Sequence, residues 1–363
     1  MRFNVEASRT ADPIADVIII GDGVIGLSTA FELARRHVRC VVIGDHQPGI
    51  ASEAAAGLLA PSVGQLADAV RPFFFGSLEL YPEYVERLRE FDPSLTMVRG
   101  LIDVTPPEPG RTRHLPARLT TQDVSAREPS IVAPHGATFH ASNGAVDSVA
   151  LMRALRRAAA AEPLVELVDD DPVVTIDLFR ADPAVVLRSG ARRSGAAIIV
   201  AAGAWSSELR GLPHALPVTP LKGQMLAVAS KALIHAVMGT DVYLVPRETE
   251  LVIGATVERA GFDVGTRPEA IELLRQSAER ICPALANVPV LRAWAGIRPA
   301  TPDMLPIIGS DAGDSRINYA CGHSKNGILL APATAAAVAD LVQKQRPEFD
   351  LAPFSMARFA RIS

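Results

Sequence analysis

The first strong apolar run in the chain is Val17-Ile18-Ile19-Ile20, β-branched throughout, as a strand buried on both faces should be. From Val24 the period changes, and Val24, Leu27, Phe31 and Leu33-Ala34 recur at helical spacing. Arg39-Cys40-Val41-Val42-Ile43 then returns to a strand pattern at the distance expected of a β-α-β unit.

Further along, Arg71 to Phe91 reads as an amphipathic helical region (Phe74, Leu78, Tyr81, Tyr84, Leu88) interrupted at Pro82. Thr96 to Val104 reads as a strand pair about Gly100, Thr105 to Pro116 as a surface loop, and Asn143-Gly144 as a turn. Val149 to Ala160 predicts a helix with Arg153, Arg156 and Arg157 outward. Val185 to Arg188 and Ala197 to Val200 read as strands, and Leu216 to Val228 passes from loop into strand. Asp241 to Pro246 and Glu250 to Gly254 alternate like an antiparallel pair, Pro268 to Ile281 is a helix, and Thr334 to Gln343 is an alanine-rich one.

The turn between the first strand and helix carries the chemistry. Gly21, Gly23 and Gly26 form a G-x-G-x-x-G spacing: a tight turn, a place for a pyrophosphate to approach the backbone, and close helix–strand packing. The helix N-terminus offers free N–H groups to that pyrophosphate. An acid closing the second strand normally holds the ribose. The spacing points to position 44, which is Gly44; the acid present is Asp45, one residue later. Dense small residues from Gly49 to Gly57, and again at Ala201 to Ala204, signal close approach of something large to the backbone.

A length of 363 residues allows two domains or one large one, and a net charge of -4 gives no reason to expect nucleic acid or an anionic membrane as partner. Cys40, Cys282 and Cys321 lack metal or disulfide spacing, so no metal site is expected. No apolar run reaches the ~18 residues of a membrane span. The segment Met1 to Ala15 has no apolar centre of the signal-peptide kind, so a cytoplasmic location is expected.

Five stretches in order carry a resemblance: Gly21-Asp22-Gly23-Val24-Ile25-Gly26, Ala54-Ala55-Ala56-Gly57-Leu58, Ala201 to Ser206, Trp294 to Asp303, and Gly322 to Pro332. Together the sequence resembles the D-amino-acid oxidase family of flavoproteins, and most closely the glycine oxidases of thiamine biosynthesis, from about Asp16 to about Leu341. The resemblance implies an α/β fold with a Rossmann-like FAD-binding domain (1–62, 142–215, 293–363). It also implies a discontinuous α+β substrate domain built on an antiparallel sheet (63–141, 216–292).

It implies FAD contacts at Gly21, Gly23, Val24, Ile25, Gly26, Gly44, Asp45, Ala56, Gly57, Leu58, Val173, Gly203, His323, Asn326, Gly327, Ile328 and Leu329. Arg298 is expected to clamp a substrate carboxylate, assisted by Tyr243, with Asp241 and Lys325 also in the substrate pocket. Where the family's pattern carries histidine, arginine and two methionines, this chain has Asp241, Lys325, Leu58 and Val257. The expected reaction is hydride removal from the carbon bearing the amine, with no obligatory protein base and His323 structural or flavin-contacting. Gly296-Ile297 offers no thiol for covalent attachment, so non-covalent FAD is expected. The partner expected is a small amino acid or amine. Members of the family are often oligomeric, which leaves a homo-oligomer open, and a flavin subunit that needs a second protein is the rival reading.

Overall fold

The structure, a computed structural model, describes residues 15–61, 66–106 and 118–359. Most of the loop expected between Thr105 and Pro116, and all but the end of the segment Met1 to Ala15, lie outside the described residues. Two sheets organise the rest.

The first sheet grows from the apolar run read above. The strand Ala15–Ile20 pairs in parallel with Cys40–Ile43 on one side and Arg192–Val200 on the other. Val165–Val168 and Ile317–Cys321 extend it in parallel, and Ile307–Ser310 adds an antiparallel edge. Its central residues are buried on both faces, which is why Ile18, Ile19, Ile198 and Ile199 are all fully buried. Helices Val24–Arg35, Ser148–Ala161 and Gly327–Val342 cover one face, and the hairpin Val173–Asp177/Ala184–Leu187 packs on the other.

The second sheet runs in the order Val290–Ala300, Thr219–Val228, Leu251–Gly254, Tyr243–Pro246, Ala236–Met238, Met97–Asp103, Ala137–Val146 and Leu58–Leu59. Its pairs are antiparallel except one: Ala236–Met238 runs parallel to Met97–Asp103. The strands Ala137–Val146 and Val290–Ala300 both continue past the boundaries expected after 141 and 292.

Four local expectations are corrected. Thr96 to Val104 is one strand, Met97–Asp103, in which Gly100 at φ +90° takes a bulge rather than a turn. Asn143-Gly144 is no turn but lies inside Ala137–Val146; a Cβ at Gly144 would sit 2.0 Å from the Val98 carbonyl oxygen, so glycine serves sheet pairing there. Pro82 does not break its helix, which runs unbroken as Arg71–Arg89.

The last helix starts at Gly327, seven residues before the expected Thr334, despite Pro332 within it. Pro332 cannot donate to the Ile328 carbonyl, and the Tyr81 hydroxyl donates there instead. Ser77 Oγ donates to the neighbouring Leu329 carbonyl at 2.7 Å. The long helix Arg71–Arg89 thus secures the first turn of the last one. No helix among the described residues is long and apolar enough to cross a membrane.

Candidate active site

The glycine turn is tight for backbone reasons. Gly21 has φ +112°, and a Cβ on it would lie 2.4 Å from the Ala201 carbonyl oxygen. A Cβ on Gly26 would lie 1.8 Å from the Gly21 carbonyl oxygen, so the third glycine is what lets the helix rest on the strand. Gly23 by contrast meets only Ser52 Oγ at 3.1 Å, and that hydroxyl accepts from the Val24 N–H at 2.9 Å. Beyond them opens a cavity of about 990 Å³ shared by the two sheets.

All but two of the residues expected at the cofactor line this cavity: Gly21, Gly23, Val24, Ile25, Gly44, Asp45, Ala56, Gly57, Leu58, Val173, Gly203, His323, Asn326, Gly327 and Ile328. Gly26 lies beneath the turn, and the Leu329 side chain is buried in the core at 2% exposure. Leu329 still sits in the first turn of Gly327–Val342. The Leu330 N–H already bonds the Asn326 carbonyl, so the amides of Gly327 to Leu329 are the ones a helix start leaves without an intrahelical partner. Two helix N-termini and a bare glycine backbone therefore converge on one cavity, at the upper end of the usual ligand-cavity size. Those are the features a dinucleotide requires.

His323 is no base. Its ring is buried with Nε2 3.1 Å from Thr334 Oγ1, and burial pushes its pKa down to about 3, which keeps it neutral. Cys321 also lines the cavity, yet burial raises its thiol to about 12, far from a reactive thiolate.

The substrate end is built by strands distant in sequence. Arg298, opposite Leu221 in the sheet register, donates from Nη1 to the Thr256 carbonyl at 3.0 Å. No carboxylate pairs with it among the described residues. Its guanidinium lies in the volume that a Cβ at Gly223 would take, 2.3 Å from Nη2. Tyr243 reaches the same end, its hydroxyl 3.4 Å from Met225 Sδ and passing over Gly254, where a Cβ would meet it at 2.6 Å. Burial raises the tyrosine pKa above 10.0, partly offset by Arg298, so the hydroxyl remains a donor.

Asp241 and Lys325 line the same cavity but stand exposed at its rim, and no ion pair joins them. Leu58 is half-buried in the wall, while Val257 is 70% exposed.

Several residues of the site are invisible to motif reading. Leu221, Gly223 and Met225 face the cavity, while the alternate residues Lys222 and Gln224 are buried away from it. The signal was the period-two alternation of that strand. Gln224 Nε2 and Thr256 Oγ1 both donate to Glu258 Oε1 at 2.6 Å, and the Gln224 N–H donates to Thr256 Oγ1. This network holds the Thr256 backbone whose carbonyl receives Arg298.

Comparison with known proteins agrees with this geometry. The family profile DAO, FAD dependent oxidoreductase, matches residues 16–341. The chain belongs to this family. This FAD-dependent oxidoreductase is 31% identical to the glycine oxidase of Pseudomonas putida, over 93% of this chain and 97% of that one. It is 34% identical to the bifunctional protein ThiO/ThiG of Trichormus variabilis over 95% of this chain, but spans only 55% of that relative's length. The crystal structure of glycine oxidase from Geobacillus kaustophilus superposes with a TM-score of 0.86 and 30% identity, covering 96% of this chain and 99% of that one. FAD is accordingly the cofactor of the oxidoreductase, and the glycine turn, the helix starts and the cavity are of a kind to hold it.

Proposed function

We propose that this FAD-dependent oxidoreductase oxidises a small α-amino acid or an N-substituted glycine, as a glycine oxidase does. One observation carries the reading: a half-buried guanidinium, Arg298, faces a dinucleotide-sized cavity with no carboxylate among the described residues to neutralise it. A planar, always-charged fork in that setting suits a substrate carboxylate. Tyr243 donates a second hydrogen bond to the same group. Bound FAD supplies the hydride acceptor. The protein's part is then to fix the carboxylate at one end so that the α-carbon is held against the cofactor, which is positioning. No side chain need take a proton if the amine enters neutral, and the buried, neutral His323 is consistent with that.

A second reading rests on Asp241 and Lys325. Two unpaired, opposite charges at the rim suit a larger secondary amine with a carboxymethyl arm and a charged tail.

One panel tests both: anaerobic bleaching of the flavin absorbance by glycine, by N-substituted glycines with neutral, cationic and anionic tails, and by amines lacking a carboxylate. Carboxylated amines should bleach it, and Arg298→Ala should cost ~2–5 kcal/mol in kcat/KM. Equal bleaching by amines without a carboxylate defeats the proposal. A tailed amine outpacing glycine, with the advantage lost in Asp241→Asn or Lys325→Gln, selects the larger substrate. A yellow chain bleached by none of them points to a subunit that works only with a partner.

A further inference from the structure

The second strand ends without an acid at the position where such sites usually hold the adenosine ribose. Gly44 stands there, and the structure shows what occupies its missing side chain's volume. A Cβ at Gly44 would lie 2.4 Å from Asp22 Cγ, 2.5 Å from its Oδ2 and 2.7 Å from its Oδ1. Asp22 is the residue between the first two glycines of the turn, carried on the fingerprint itself.

The carboxylate of Asp22 lines the cavity although the residue is only 8% exposed. Its Oδ2 accepts from Arg156 Nη1 at 2.9 Å. Its Oδ1 accepts from no donor among the described residues. An acceptor that borders the cavity and takes no protein donor is open to a hydroxyl of a bound ligand. Arg156 also pairs with Asp169 at 2.5 Å, so one guanidinium is shared between two carboxylates and its contact with Asp22 is confined to Oδ2. His46 stands 4.0 Å from the other oxygen, too far for a hydrogen bond.

Asp45 offers a different picture. Its Oδ2 already accepts from Gln47 Nε2 at 2.5 Å and from Arg188 Nη2 at 3.2 Å, and its side chain is 25% exposed. Each acid thus keeps one oxygen free of donors among the described residues, and what sets Asp22 apart is its place: its carboxylate fills the volume of the side chain missing at position 44.

We propose that Asp22, and not Asp45, accepts hydrogen bonds from the adenosine ribose hydroxyls of FAD, and that position 44 is glycine because Asp22 occupies the space. The ribose-binding acid has moved from the strand end to the glycine turn. The inference rests on FAD binding to this chain, which the wild-type protein tests separately.

The test is the FAD dissociation constant of reconstituted apo-protein for wild type, Asp22→Asn, Asp45→Asn, Asp22→Gly, and Asp22→Gly combined with Gly44→Glu. Each is measured with FAD and with an analogue lacking both adenosine ribose hydroxyls. Asp22→Asn should weaken FAD by about tenfold and bind the analogue no worse than FAD, whereas Asp45→Asn should stay within about twofold of wild type. Gly44→Glu should restore most of the affinity lost in Asp22→Gly, since it returns an acid to the same place. Equal or greater loss in Asp45→Asn, or no recovery in the double variant, overturns the assignment. So does wild type that binds FAD and the analogue equally well, a readout that needs no variant to fold. Wild type that binds no FAD would instead overturn the cofactor assignment.

Discussion

The two ends of the cavity both depend on glycine, for different reasons. At the cofactor end, backbone meets backbone: the Cβ positions of Gly21, Gly26 and Gly57 fall 2.4, 1.8 and 1.8 Å from carbonyl oxygens. At the substrate end, backbone makes room for a side chain: Gly223 clears the Arg298 guanidinium and Gly254 the Tyr243 hydroxyl. The first kind of glycine is structural and cannot yield, because a backbone carbonyl packed within or just past the end of a buried strand has nowhere to go. The second kind sets the aim of a flexible group, so changing it should retune the site without dismantling it.

The largest effect should therefore come from the cofactor end. Gly26→Ala places a methyl group against the Gly21 carbonyl and must separate helix Val24–Arg35 from its strand, at a cost on the order of 3 kcal/mol or more. We expect the variant to purify without flavin and to melt well below wild type. A yellow Gly26→Ala protein with wild-type melting would show that the two kinds of glycine do not differ.

At the substrate end Gly223→Ala should act more gently. The clash is with the tip of a long side chain, so Arg298 swings aside rather than the sheet opening. The expected loss is ~1–3 kcal/mol in kcat/KM, carried mostly by KM, with FAD affinity and melting temperature near wild type. If FAD affinity falls along with kcat/KM, the ends are mechanically coupled and the contrast fails.

The same contrast explains what could be read from the sequence. The cofactor end is local: strand, turn and helix follow one another within Ala15–Arg35, and each glycine's task is set by its immediate neighbours. The turn's second residue, Asp22, hid in plain view, because its partner position 44 is adjacent only once the second strand pairs with the first. The substrate end is non-local. Gly223, Thr256 and Arg298 come from three segments, and only the register Leu221↔Arg298 brings them together. Arg298 and Tyr243 were reachable through family resemblance, whereas the glycine that aims Arg298 and the Gln224–Glu258 network behind it were not. Gly100, Asn143-Gly144 and Pro82 misled for a related reason. Turn and breaker residues were absorbed inside elements once sheet pairing or helix packing supplied what local propensity withheld.

The smallest predicted effect distinguishes the ends by proton uptake. At the substrate end the Tyr243 hydroxyl has its pKa raised above 10.0 and remains protonated at neutral pH. At the cofactor end His323 is held neutral, its pKa lowered from 6.5 to about 3 by burial. Above pH 6.5 the imidazole is neutral in both folded and unfolded chains, and its burial carries no proton penalty. As pH falls through 6.5 the unfolded chain binds a proton that the folded one refuses until about pH 3, so stability is lost progressively across that interval. Between about pH 7 and pH 6 this linkage is worth ~0.7 kcal/mol. His323→Gln cannot take up the proton, and its unfolding free energy should fall less than wild type's over that step, measured by urea denaturation of the holoprotein. The comparison is between slopes, so any constant loss from the substitution itself drops out. Identical slopes would mean that His323 takes up protons in the folded chain much as it does in the unfolded one. The cofactor end would then be open to water, and its dry backbone packing would no longer set it apart from the substrate end.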